Sequence, residues 1–309
     1  MTRRPESRSS VARLAICTYQ RPDLLREALA ALARQQCPAG WQVELLVVDN
    51  DPERSASPVV DSFRDSSTFA NVTYIVEPSR GVGNARNAAL RQDPDFDVLI
   101  FFDDDQVPSR DWLLAILTHH ESDPDALWCG PVIAQLPDEL PDWARGGWAW
   151  NRPLLIDGSV LSVCGDGNLL IPRSIVESGE YRYSTDFGRG MGQDAELTHR
   201  LSSSGSRIRY ARDATAIEEV TPDRLTREWV LDRAFRSSEA WARILVATGI
   251  NGRFRLALPA LKRVVSFAAL TARGLVQRRS DLLVRGRRDW AMVRGYRLAL
   301  SNASKRQRG

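Results

Sequence analysis

Three short apolar runs in the first third of the chain each stop abruptly at polar residues, and this restricts the possible folds more than any other feature. Residues 13–19 (RLAICTY) run into Gln20, Arg21, Pro22 and Asp23. Residues 44–48 (ELLVV) run into Asp49, Asn50 and Asp51, and residues 97–102 (DVLIFF) into Asp103, Asp104 and Asp105. Apolar runs this short, bounded by turn formers, read as buried strands. Residues 24–36 between the first two carry Leu25, Ala28, Leu29 and Leu32 at helical spacing, with Asp23 placed to cap them. A helix over 59–64, a strand over 72–76, a glycine-opened helix over 81–90 and a helix over 112–119 continue the alternation. Such alternation with short connections predicts an α/β fold with a parallel sheet covered on both faces. Ligands of such sheets bind beyond the carboxyl ends of the strands. Three polar clusters converge there on one predicted site.

The remainder is read more coarsely. Residues 130–183 are broken by Pro131, Pro137, Pro141, Gly146, Gly147 and Pro153, with Trp143, Trp148 and Trp150 clustered among them. Helical patterns return over 194–201 and 226–247. The predicted organisation is a disordered lead over 1–12, a catalytic domain over 13–250 and a basic helical extension over 251–309. The lead has no apolar run behind it of the kind a signal peptide needs, and no stretch of about 20 apolar residues occurs. The four cysteines lack metal-ligand spacing and fit small apolar packing roles in a reducing compartment. A cytoplasmic protein is expected.

The net charge of +3 conceals a division along the chain. Residues 252–309 hold 15 Lys/Arg against 2 Asp/Glu, a net +13, which leaves −10 on the rest. A cationic end with interspersed leucines and valines suggests an amphipathic surface for anionic membrane on the inner face of the cell membrane. Packing of those helices on the body accounts for the same pattern. Nucleic acid is not expected, since no recognition motif accompanies the charge.

The candidate chemistry starts with Asp103, Asp104 and Asp105. Adjacent carboxylates repel, and burying them without a cation is costly. Mn²⁺ or Mg²⁺, which take hard oxygen ligands and share them with substrate phosphates, would resolve the conflict; a solvated acidic turn would also use these residues. Asp49 could accept a hydrogen bond from a nucleotide base or simply form a turn. Arg80, Gly81 and Arg86 at a helix start could cradle diphosphate, although the segment is neither a Walker loop nor a GxGxxG. Asp194, at the mouth of a helix after the glycine-rich 188–192, could serve as general base or as N-cap. The tryptophans could stack on sugar rings or fill a core.

Taken in order, the blocks CTYQRPDLLREALAALARQ, ELLVVDND, RGVGNARNAAL, LIFFDDDQVPSRDWL, GDGNLLIPRS and GQDAELTHRL resemble family 2 inverting glycosyltransferases of the GT-A fold, over roughly residues 13–241. The segment EEVTPDRLTREWVLDRAFR is similar to the bacterial branch that builds exopolysaccharide or cell-envelope glycans. The resemblance implies a mostly parallel central sheet and a nucleotide-sugar donor, usually a UDP-sugar, with a glycan or lipid-linked acceptor. It implies that Thr18, Tyr19 and Arg21 form the first nucleotide-binding loop, that Asp49 contacts the base and that Arg86 lies near the diphosphate. Asp103 opens the DxD form, Asp104 and Asp105 match the ribose- and metal-contacting carboxylates, and Asp194 matches the catalytic base. Asn168 falls in a block lining the acceptor side, for which Trp148 and Trp150 are further candidates. Two departures stand out: Gln193 replaces the glutamate that often precedes the base, and no histidine ligand follows near Glu218. A catalytically degenerate binding module and a nucleotidyltransferase are the rival readings; the intact aspartates oppose the first, and the lack of a basic Gly-rich loop at the first strand opposes the second.

Overall fold

The computed structural model describes residues 9–64, 67–93, 95–184, 191–247 and 252–306. Most of the predicted lead, and residues 188–190 of the glycine-rich stretch, lie outside the described residues. Along the chain run β1 (Ser10–Thr18), α1 (Pro22–Leu32), β2 (Trp41–Asp49), α2 (Ser57–Arg64), β3 (Asn71–Val76), α3 (Val82–Leu90), β4 (Val98–Phe102) and β5 (Gln106–Pro108). Next come α4 (Trp112–Ser122), β6 (Leu127–Cys129), β7 (Val132–Gln135), β8 (Val160–Leu161), β9 (Asn168–Pro172), α5 (Arg173–Glu177) and α6 (Gln193–Ser203). The chain closes with β10 (Ile208–Tyr210), β11 (Ala216–Glu219), α7 (Arg227–Ala247), α8 (Gly252–Val276) and α9 (Ser280–Arg306).

Two compact units result, one of Met1–Ile133, Pro153–Arg189 and Gln193–Glu218, the other of Ala134–Arg152, Gly190–Gly192 and Glu219–Gly309. The first is built on an eight-stranded sheet of order β3-β2-β1-β4-β9-β6-β10-β8. Its leading four strands are parallel. β9 then enters antiparallel between β4 and β6, with Phe102 opposite Asn168. A small sheet of order β5-β11-β7 stands apart from it.

The strand runs are continuously apolar because both sheet faces are covered. Leu14, Ile16, Leu45, Val47, Ile100 and Phe102 pack in one core with α1, α2 and α4. Their alternate neighbours Ala15, Leu46, Val48, Leu99 and Phe101 pack in a second core with Ala85 and Ala89 of α3 and Leu197 of α6. β1 begins three residues earlier than its apolar run, because the Ser10 N–H reaches Gly40 O and the Val11 N–H reaches the Asp97 carboxylate. Pro22 at the first helical position makes Arg21, not Asp23, the residue that precedes α1.

In the second unit Trp143, Trp150, Val220, Val230 and Val284 form one core, and Ala242, Leu245, Leu256, Tyr296 and Ala299 another. Small residues set the helix spacing there: a Cβ at Gly295 of α9 would overlap Ser238 and the Phe235 carbonyl of α7. Among the described residues no helix is long and apolar enough to cross a membrane.

Gly130 has the same role beside the large sheet, where a Cβ would overlap both the Ala214 carbonyl and the Asn168 amide. Gly130→Ala is therefore expected to cost about 1–3 kcal/mol of stability, read by urea unfolding.

Candidate active site

The carboxyl ends of β1 and β4 and the loops after β2 and β3 open onto one cavity of about 600 Å³. Thr18, Tyr19 and Arg21 line it from the end of β1, and Asp103, Asp104 and Asp105 from the end of β4. Arg80, Gly81 and Arg86 line it from the start of α3. Asn50 holds this third wall. Its amide donates to the carbonyls of Glu77 and Ser79 and its Oδ1 accepts the Gly81 N–H. Gly81 has φ of +137°, a backbone state that side-chain-bearing residues rarely adopt. It lets the chain turn sharply into α3, whose residues Val82 and Ala85 also line the cavity.

Two guanidinium groups are shared among four carboxylates. Thr18 Oγ1 donates to Asp104 at 2.7 Å. The Arg21 guanidinium bridges Asp104 at 3.3 Å and Asp105 at 3.2 Å. Arg86 forks between Asp103 at 2.9 Å and Asp166 at 2.8 Å. Tyr183 adds a hydroxyl to Asp166 at 2.6 Å. Burial pushes the Asp104 carboxyl up to about 6, against the opposing pull of the Thr18 hydrogen bond and Arg21. Burial pushes Asp166 up to about 7; Arg86 opposes this, and the neighbouring charges of Asp194 and Asp103 add to it. The Cys17 thiol, also on the cavity wall, is raised to about 12 by burial and is neutral at ordinary pH. Arg80 lies over the Tyr19 ring at 4.8 Å.

Among the described residues no three His, Cys, Asp or Glu side chains form a ready metal cluster. Asp104 and Asp105 nevertheless fit a divalent cation. They are hard oxygen donors, and a positive group, the Arg21 guanidinium, already sits between them. The Arg21 side chain is 45% exposed and has room to swing aside.

Five of the sequence-predicted residues lie outside the lining of this cavity. Asp49 is fully buried; its carboxylate accepts the Asp51 and Ala56 N–H groups and the Tyr74 hydroxyl. It braces the loop after β2 and does not reach into the cavity. Asn168 is 1% exposed and bonds Trp112 Nε1 and the carbonyls of Pro131 and Ala214, so its side chain ties the start of β9 to α4 and to the loops after β6 and β10. Trp150 is buried against Trp143 in the second unit, and Trp148 stacks with Arg285 and Arg288 there; both pack within that unit. Asp194 lies in the first turn of α6, where Oδ1 accepts the Ala195 N–H at 2.8 Å. Its Oδ2 faces Gly165, where even a Cβ would stand 3.6 Å away.

Asp166 went unnoticed in the sequence although its block was singled out. The usable signal was an acid between two glycines directly before the apolar run NLLIP. β9 is antiparallel to β4, so it brings its amino end to the crevice, and a reading that followed only carboxyl ends passes over it.

A parallel-sheet crevice with paired carboxylates, guanidinium groups and an opened helix start is a ligand site at the carboxyl ends of the strands, with groups of both charges. The glycosyl transferase family 2 profile matches residues 14–178, and the chain belongs to that family. The succinoglycan biosynthesis protein ExoM of Rhizobium meliloti (strain 1021) is 30% identical over 254 residues, covering 81% of this chain and 80% of that protein. Among solved structures, the mannosyltransferase PcManGT of Pyrobaculum calidifontis, in complex with GDP-Man and Mn²⁺, has a TM-score of 0.61 at 18% identity. That match covers 94% of this chain and 86% of the other. S. aureus TarS 1–349 in complex with UDP has a TM-score of 0.54 at 15% identity, covering 96% and 92%. The fold is GT-A, as the resemblance implied.

A raised carboxyl binds its proton more tightly in the folded state, so its stabilising contribution is complete below the unfolded pKa and is lost as pH rises through the folded one. Asp166 therefore lowers stability between about pH 4 and 7. Asp166→Asn should flatten the pH dependence of chemical unfolding over that range. The change will be clearest between pH 6 and 7, where Asp104 has already ionised.

Proposed function

We propose that the chain is an inverting glycosyltransferase that moves a sugar from a nucleotide donor to a hydroxyl of a glycan or lipid-linked acceptor, in polysaccharide or cell-envelope glycan synthesis. The observation that carries the reading is the Asp104–Arg21–Asp105 bridge at the end of β4, inside a cavity rimmed by Arg80, Arg86 and the start of α3. It is a carboxylate pair that demands a cation, set beside groups that suit a diphosphate. The role in polysaccharide synthesis draws support from the similarity to ExoM. UDP is the preferred donor nucleotide. The TarS complex supports it, while the GDP-Man complex of PcManGT shows that the fold accepts another base in another protein.

In this reading Tyr19 and Asn50 border the nucleoside, and Arg80 and Arg86 face the diphosphate. Asp104 and Asp105 would hold Mn²⁺ or Mg²⁺. When bound, that ion supplies charge neutralisation for the leaving nucleoside diphosphate. Asp194 takes the proton of the acceptor hydroxyl as its oxygen attacks the anomeric carbon. The bond from that carbon to the diphosphate oxygen breaks on the opposite face, and the bonding pair leaves with the nucleotide. One displacement inverts the centre, and one carboxylate suffices. Asp194 opens α6, and the bare backbone of Gly165 leaves space before its Oδ2.

Two variants test the assignment. Asp105→Ala should abolish the Mn²⁺-dependent part of UDP binding in calorimetric titration while leaving the thermal unfolding cooperative; an unchanged metal dependence would reject Asp105 as ligand. Asp194→Asn should lower turnover by about 10² or more with donor affinity nearly unaltered. Near-normal transfer by that variant would move the base elsewhere.

A further inference from the structure

α8 is packed along one side only. Leu256 is buried with Leu245 and Tyr296, Phe267 lies on Trp290 with ring centroids 5.3 Å apart, and Arg263 and Ser266 bind Asp289. The opposite side carries Leu258, Leu261, Val265, Ala268, Ala272 and Leu275, all exposed. At 3.6 residues per turn these six fall within an arc of about 100° and extend for about 26 Å along the helix. Leu261 is 59%, Val265 60% and Leu275 66% exposed. A helix of a water-soluble bundle places polar residues on this outer face. Here the outer polar residues are cations at one edge of the arc, Lys262 and Arg273.

The charge of the two last helices is nearly all of one sign. Residues 252–309 contain only two acids, Asp281 and Asp289. Both are buried and ion-paired, to Arg279 and Arg263. Within residues 252–309, then, no unpaired acidic side chain offsets the exposed arginines and lysine, and Glu239 on the neighbouring α7 is itself paired with Arg243. A second copy seated on this face would bring cationic surface against cationic surface. A single convex helix with small and branched aliphatic side chains also offers no groove for a protruding partner, but it matches a fluid interface.

We propose that this face of α8 binds the surface of an anionic lipid bilayer. The aliphatic arc enters the boundary between headgroups and acyl chains, and Lys262 and Arg273 meet lipid phosphates. No described helix can span, so the attachment is a helix lying in the interface. The inference does not rest on the transferase reading, and it holds or fails without any measurement of sugar transfer.

The test is co-sedimentation of the full-length protein with phosphatidylcholine vesicles, with and without phosphatidylglycerol. Binding is expected only to the anionic vesicles and should weaken as salt shortens the Debye length from about 10 Å at 0.1 M to about 3 Å at 1 M. Leu261→Asp combined with Val265→Asp should reduce partitioning at least tenfold. Lys262→Ala and Arg273→Ala should each weaken it about fivefold. All four positions are exposed, and circular dichroism with thermal unfolding establishes that the variants fold. Equal recovery in the supernatant with both vesicle types would overturn the proposal, as would vesicle binding by the Asp double variant at the level of the parent. It would equally be overturned if light scattering showed a dimer that the Asp double variant converts to monomer, since the face would then close on a second copy.

Discussion

Three consecutive carboxylates at the end of a strand buried on both faces present an electrostatic problem that the rest of the first unit is arranged to solve. Like charges in a low-dielectric setting raise each other's proton affinity, and uncompensated burial costs several kcal/mol. Arg86, Arg21 and Thr18 supply the compensation from α3 and the end of β1, elements brought together only by the sheet order. Arg86 in turn needs Asp166 and Tyr183 behind it. The cavity is thus the exposed edge of a charge network that reaches into the core. A phosphate or a cation entering it exchanges partners within a balanced set and does not introduce a naked charge.

The second unit relies on different forces. Its helices approach closely because glycines stand where they touch: Gly274 against Leu283, Gly286 against Thr271 and Gly295 against Ser238. Close backbones increase dispersion contacts without large side chains, which leaves leucine and valine available for the outer face of α8. The buried acids Asp281 and Asp289 pin the arginines of this region internally. The unit joins an ordinary internal packing to an outer surface that is both apolar and cationic.

Much of this was legible in the sequence where burial leaves a pattern. β1, β2 and β4 were evident because strands covered on both faces are apolar at every position, and the acids that end them marked the cleft. Strands of two to four residues, such as β5, β8 and β10, are too short to show any periodicity. Residue type also does not disclose how a polar group is satisfied. Asp49 and Asn168 carry donors and acceptors suited to a ligand, yet backbone amides, carbonyls and an indole N–H consume them. The same holds for the imidazoles of α4: His120 is buried against Trp41, and His119 stacks on Trp128. For Asn168 and His120 the decisive partners are also tens of residues away in sequence.

The interleaving of the two units has a bearing on synthesis. Trp143 and Trp150 are made early, but the residues that cover them include Val230 and Val284. A nascent chain emerging amino end first completes the large sheet once residues near 210 are available, while these two indoles still lack their lid. Until α9 leaves the ribosome, the chain carries a finished cleft together with an uncovered aromatic cluster, the kind of transient surface on which chaperones act.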